Sequence, residues 1–257
     1  MLKTGLVSVT FRKLSPSSII ELVARAGLEG IEWGGDIHVP HGNTTIAKKV
    51  FKETKDAGIE IAAYGSYYKA GVSNPSEFEK VIASADALHA PIIRIWAGDR
   101  DSYKANPDYW EAVSSDIYRI ADIAVKHNIF IALEFHKSSL TDSSSSTLKL
   151  LEMVRNPFVS SYWQPRIGAE FEENLKDIEC IGHYISNIHV FHWLMYERRP
   201  LSEGELQWCN YLKKIPNNRY IRYCMLEFVM GDCPHQFIED AEVLKRIVLS
   251  SRVKLDL

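Results

Sequence analysis

Four polar residues stand at the ends of four apolar runs. Glu134 follows Ile-Phe-Ile-Ala-Leu, Gln164 follows Val-Ser-Ser-Tyr-Trp, His189 sits inside Ile-Ser-Asn-Ile-His-Val, and Glu227 follows Tyr-Cys-Met-Leu. If those runs are neighbouring strands of one barrel, the four side chains converge. Three oxygens and one imidazole nitrogen can then hold a divalent cation.

The elements that would position them repeat along the chain. Gly27 precedes Gly30-Ile-Glu-Trp33, Gly58 precedes Ile59-Glu-Ile-Ala-Ala-Tyr64, and Asn128 precedes Ile129-Phe-Ile-Ala-Leu133. Each is placed where a left-handed residue ends a helix before a strand. Ser15-Pro16, Asn74-Pro75 and Asn106-Pro107 put a capping side chain before a proline at the first helical position, and Asn74 with Glu77 fits a capping box. Strands are predicted near 4–10, 30–34, 59–64, 91–96, 129–135, 158–163, 185–191 and 220–227, each followed by an amphipathic segment. Alternating strands and helices imply parallel pairing with right-handed crossovers, and eight repeats imply closure into a single (β/α)8 TIM barrel over residues 1–257. An open doubly wound sheet is the competing α/β architecture, but no Gly-x-Gly-x-x-Gly turn follows any strand. The serine run 143–146, with Thr141-Asp142 before it, suggests the solvated first turn of a helix.

Composition sets limits on function. Thirty basic residues face 33 acidic ones, for a net charge of -3, which gives no general reason to bind nucleic acid. Four cysteines without a Cys-x-x-Cys pair suggest reduced thiols in the cytoplasm. Gly5, Ser8 and Thr10 interrupt the apolar run that a signal peptide needs, and no stretch approaches membrane-spanning length.

Ile131-Ala-Leu-Glu134-Phe-His136, Tyr162-Trp-Gln164-Pro, Ile188-His189-Val and Met225-Leu-Glu227-Phe resemble the xylose-isomerase-like barrel superfamily of sugar isomerases and epimerases. Gly30-Ile-Glu-Trp-Gly-Gly-Asp36-Ile-His38-Val-Pro, Ala63-Tyr-Gly-Ser-Tyr67 and Arg94-Ile-Trp-Ala-Gly98 look like one branch of it. The resemblance spans nearly the whole chain. It implies a divalent metal held by Glu, Asp, His and Glu from strands five to eight, which here are Glu134, Gln164, His189 and Glu227. The sixth strand therefore departs from the commoner pattern. Two carboxylates just cancel a dication, where three would leave the site at -1, so metal affinity should fall unless the Gln164 carbonyl ligates well. Mixed oxygen and nitrogen ligation admits manganese, magnesium, cobalt or zinc.

Other rim residues are candidates for substrate contact. Trp33, Trp96 and Trp163 can stack on a sugar's C–H face, Arg94 can bind a carboxylate or phosphate, and Asp36, His38 and His136 can donate or accept. Blander roles compete: aromatic packing for the tryptophans, a partner to a barrel acid for Arg94, and a structural loop for Asp36, His38 and His41. His192 could replace His189, but three residues apart on a strand they point to opposite faces. Arg198 and Arg199 follow strand seven and either reach over the pocket or solvate a loop.

The expected activity is that of an aldose–ketose isomerase or ketose epimerase on a small sugar or related hydroxy-ketone. Glu134 and Glu227 would move an α-proton through an enediolate. A keto-cyclitol dehydratase and a metal-free sugar-binding barrel are the rivals, and a homo-oligomer is compatible with either. An apurinic-site endonuclease fits less well, because Gln164-Pro165-Arg166-Ile167 stands where an Asp-x-x-His pair is needed.

Overall fold

The structure, a computed structural model, describes residues 2–216 and 222–252. Its strands are β1 (Leu2–Val7), β2 (Gly30–Gly34), β3 (Glu60–Lys69), β4 (Ile92–Trp96), β5 (Phe130–Leu133), β6 (Val159–Trp163), β7 (Ile185–Val190), a short hairpin β8 (His192–Leu194) and β9 (Glu197–Arg199), and β10 (Arg222–Leu226). Helices α1 (Pro16–Ala26), α2 (Thr44–Asp56), α3 (Glu77–Ala87), α4 (Pro107–Ala124), α5 (Ser144–Val154), α6 (Phe171–Ile181), α7 (Glu205–Lys214) and α8 (Pro234–Arg252) alternate with them. The barrel closes in the order β1-β10-β7-β6-β5-β4-β3-β2, with every neighbouring pair parallel.

Local chemistry accounts for several of the boundaries. The Ser15 and Asn106 side chains cap α1 and α4 by accepting from Ser18 N and Tyr109 N, each with proline next in line. Gly27 ends α1 at φ 65°, and Asn128 takes φ 58° before β5, both in the left-handed region that favours glycine and asparagine. Apolar packing divides into two bodies. A large annulus fills the space between barrel and helices, and a smaller cluster that includes Ala62, Ile92, Ala132, Tyr162, Tyr223 and Met225 lies apart from it.

Four predicted details change. The first strand stops at Val7, because Ser8–Phe11 winds into a 3₁₀ turn whose Ser8 hydroxyl accepts from Gly34 N. Asn74 accepts from Ser76 N in a tight turn rather than completing a capping box with Glu77, so α3 starts three residues later than Asn74. The serine run does open α5, with Ser143 as its cap, but the turn is not fully solvated: Ser146 and Thr141 are buried, Thr141 with its hydroxyl on the Glu134 carbonyl. Beyond strand seven, the segment that carries Arg198 and Arg199 pairs into the β8–β9 hairpin, an element absent from the predicted strands. Positions 220 and 221 of the predicted eighth strand lie outside the described residues.

Candidate active site

Strands β5, β7 and β10 bring Glu134, His189 and Glu227 together at their carboxyl ends, with one ligand atom of each within 4.8 Å of the others and all three buried. The backbone fixes the two glutamates in the same way: Glu134 N donates to Ile95 O and Glu227 N to Val190 O, so each sits one step past its own strand but is still tied to its neighbour. His189 Nδ1 lies 3.0 Å from Gln164 Oε1 and 3.3 Å from Glu227 Oε2. Its other nitrogen is buried with no hydrogen-bond partner among the described residues, and Glu32 Oε2 is 3.8 Å away.

Behind these residues runs a fully buried chain of polar contacts. Arg94 donates from Nε to Glu32 Oε1 at 2.7 Å and from Nη1 to Glu134 Oε2. Tyr162 donates its hydroxyl to Glu32 Oε2 at 2.8 Å and accepts from Asn187 Nδ2 at 2.9 Å, while Asn187 Oδ1 accepts from Tyr223 N. Gly65 makes room for the ion pair, since a Cβ there would stand 2.7 Å from both Arg94 Nη2 and Glu32 Oε1.

Electrostatics follow from this crowding. Burial would raise the Glu32 pKa, but Arg94 and His189 hold it down at about 2. Glu227 is likewise lowered: burial works against ionisation and is overcome by His189 and Arg94. For His189, burial disfavours the imidazolium, yet the Glu227 and Glu32 carboxylates push its pKa up to about 10. Burial beside Glu32 keeps Tyr162 protonated, as its donated hydrogen bond requires.

A cavity of about 150 Å³ opens over the group, with Tyr67, Arg94, Glu134, His136, Gln164 and Glu227 on its polar side. Trp96, Ile167, Phe191, Trp193 and Phe228 form its apolar wall. His136 packs at a tilt against Trp96 with ring centroids 4.6 Å apart, and its Nδ1 lies 2.6 Å from Lys137 O. With Nδ1 as the donor in that contact, Nε2 is left as the acceptor. Arg198 lies over the rings of Trp193 and Phe228 at 5.5 and 4.9 Å and pairs with Asp232, tying the β8–β9 hairpin to the loop after β10. A larger cavity of about 610 Å³, lined by residues such as Ile61, Ile92, Phe130 and Tyr223, lies at the amino ends of the strands, away from these groups.

The structure thus brings Glu134, Gln164, His189, Glu227, Arg94, Trp96 and His136 to one place and leaves four other candidates elsewhere. Trp33 and Trp163 are fully buried in the outer annulus, Trp163 against Trp208 and Tyr211. Asp36 pairs with Arg12, and His38 contacts the Ser8 hydroxyl through Nδ1 at 3.0 Å; among the described residues the buried Nε2 atoms of His38 and His41 have no hydrogen-bond partner, and that loop forms no metal-capable group. Sequence reasoning missed Glu32, Tyr67, Tyr162, Phe191, Trp193 and Phe228. For Glu32 a signal existed: a lone acid inside the apolar run Gly30-Ile-Glu-Trp.

The chain belongs to the xylose isomerase-like TIM barrel family, whose model matches residues 20–247. It is 28% identical over 169 residues to a 3-dehydroshikimate dehydratase of Bacillus anthracis, an alignment spanning 61% of this chain and 59% of that protein. Its fold matches B. anthracis AsbF, reported as a probable 3-DHS dehydratase involved in petrobactin synthesis, with TM-score 0.78 and 21% identity over 98% of this chain and 100% of the other. It also matches D-psicose 3-epimerase of Clostridium cellulolyticum H10, with TM-score 0.74 and 14% identity over 98% and 100%.

The donor set fits a small divalent cation. Two carboxylates, an imidazole and an amide oxygen gather at one buried point, and the imidazole turns Nδ1 toward the other donors.

Proposed function

We propose that the chain is a divalent-metal-dependent enzyme that removes the proton α to the carbonyl of a small hydroxy-ketone. The buried meeting of Glu134, His189 and Glu227, with Glu134 and Glu227 on the wall of a cavity of about 150 Å³, carries this reading. Glu134, Gln164, His189 and Glu227 would hold manganese, magnesium, cobalt or zinc, and a bound dication supplies Lewis-acid polarisation of the carbonyl and its neighbouring oxygen. In this reading either glutamate would accept the α-proton, Arg94 would face the oxygen that gains charge, and the aromatic wall would keep water from the carbanion.

The fate of the resulting enediolate separates two activities. Return of the proton by the second glutamate gives an epimer or an isomer of a sugar. Expulsion of a β-hydroxyl, with a proton delivered to the leaving oxygen, gives a dehydrated ring. Dehydration of a cyclic hydroxy-ketone such as 3-dehydroshikimate is favoured by the dehydratase relative and by a wall of Trp96, Phe191, Trp193 and Phe228 against which a ring face can pack. His136, with Nδ1 against Lys137 O, stands on the same wall and would pass a proton to the leaving oxygen. Four cysteines without a Cys-x-x-Cys pair suit a reducing cytoplasm.

The test is to incubate manganese-loaded protein in deuterated water with a panel of ketoses and cyclic β-hydroxy-ketones and to read products by mass. An isomer carrying deuterium marks the epimerase branch, and a product lighter by one water marks the dehydratase branch. Neither change across the whole panel would count against enzymatic proton abstraction.

A further inference from the structure

The Gln164 position leaves the metal-capable group one carboxylate short of the commoner pattern, and Arg94 adds a positive charge directly against Glu134. Glutamates 134 and 227 less one guanidinium would leave the site at about -1, a poor match for a dication. Glu32 removes that deficit. It is fully buried, and its oxygens are committed to Arg94 Nε and the Tyr162 hydroxyl. It also stands behind His189, on the side of the nitrogen that does not face Glu227.

We propose that Glu32, although not a ligand, is the charge-balancing and positioning residue of the metal site. By neutralising Arg94 it keeps Glu134 available to a cation, and it brings the fixed charge of Glu32, Glu134, Glu227 and Arg94 to -2. The inference rests on the reading that Glu134, His189 and Glu227 hold a dication. Two geometric features belong to this role. Nε of Arg94 points at Glu32 while Nη1 points at Glu134, so the guanidinium is shared rather than captured by the prospective ligand. The imidazole has a carboxylate on the far side from Gln164, which favours Nε2–H and leaves Nδ1 as the ligating nitrogen.

Calorimetric titration of the chelator-stripped full chain with manganese chloride tests this. Glu32→Gln keeps the shape and lowers the site charge to -1, and affinity should fall at least about tenfold. Glu32→Gln combined with Arg94→Met restores -2 and should return affinity to within about threefold of the parent, a coupling that a purely structural role does not produce. Tyr162→Phe removes the hydroxyl on Glu32 but no charge and should stay within about the same threefold margin. Unchanged affinity in Glu32→Gln, or a folded double variant still tenfold weak, overturns the proposal. If Glu32→Gln does not fold, the double variant decides by the same criterion, since it removes both partners of the buried Glu32–Arg94 pair together and leaves Glu134 to the metal. Failure of the parent protein itself to bind manganese would instead sink the metal-site reading.

Discussion

His189 Nδ1 stands 3.3 Å from Glu227 Oε2, and both side chains are buried, so the imidazole ionises under the control of a carboxylate rather than of water. Its pKa is pushed up from 6.5 to about 10 despite burial, which by itself lowers it. A raised folded-state value means that the ionised pair stabilises the metal-free protein fully below about pH 6.5 and that this contribution is lost as pH rises through about 10. With metal removed by chelator, the thermal midpoint is expected to decline between pH 7 and 10, and the decline should shrink in His189→Gln. Scanning fluorimetry across that window checks it, and matching profiles for the two proteins contradict it.

The sixth-strand amide offers a second test. Gln164 presents a neutral oxygen to the group where a carboxylate would add a full negative charge. Gln164→Asp should therefore tighten manganese binding by about tenfold or more, the larger electrostatic term outweighing the shorter reach of the aspartate. Equal or weaker affinity by calorimetry would show that reach governs this position.

Removing charge from the ligands themselves should strike turnover. Glu134→Gln and Glu227→Gln each retain shape but lose a proton acceptor, and positioned acid–base groups contribute about 10²–10⁴ in rate. Losses of at least that size are expected in steady-state assays of whichever product the substrate panel reveals. Retention of most activity in both variants would place the base elsewhere, with His136 the next candidate on the cavity wall.

How far the sequence alone leads depends on which face a strand residue takes. The ends of the strands were legible, because a polar residue after an apolar run stands out, and Glu134, Gln164 and Glu227 were found that way. The facing of residues inside the strands was not, since a parallel barrel buries both faces and the apolar alternation that would mark the interior disappears. Glu32 and Tyr162 meet inside the barrel, so their neighbours Trp33 and Trp163 point outward to the helices, the reverse of a rim assignment. The β8–β9 hairpin was equally hidden: its pairing joins His192 to Arg199 across a loop that carries no Asn-Gly or Asp-Gly turn signal.

That hairpin supplies the next prediction. Trp193 lines the cavity while Arg198 covers its outer side and Asp232 holds Arg198. Phe228 completes the wall from a φ of 53°, a strained value for an aromatic residue, and its N–H donates to the Thr10 hydroxyl. Trp193→Ala removes a ring from the binding surface without touching a proton-transfer group. It should raise KM by about tenfold with kcat changed much less, since aromatic contacts of this kind are worth about 1 kcal/mol or more. A fall in kcat with KM unchanged would mean that the ring acts on the chemical step.

Gly65 links stability to the same site. An added Cβ would lie 2.7 Å from Glu32 Oε1 and from Arg94 Nη2, and neither atom has freedom to retreat. Glu32 is held by Tyr162 and Arg94 by Glu134, with both ion-paired side chains almost wholly buried. Gly65→Ala must therefore push the guanidinium and carboxylate apart, because the backbone here is not in the left-handed region and the obstacle is contact rather than conformation. Overpacking of this kind costs about 1–3 kcal/mol, read as a lower midpoint in denaturant unfolding. The displaced Arg94 should also turn further toward Glu134 and weaken manganese binding. A variant as stable as the parent and equally avid for manganese would mean that the ion pair has slack that these contacts do not reveal.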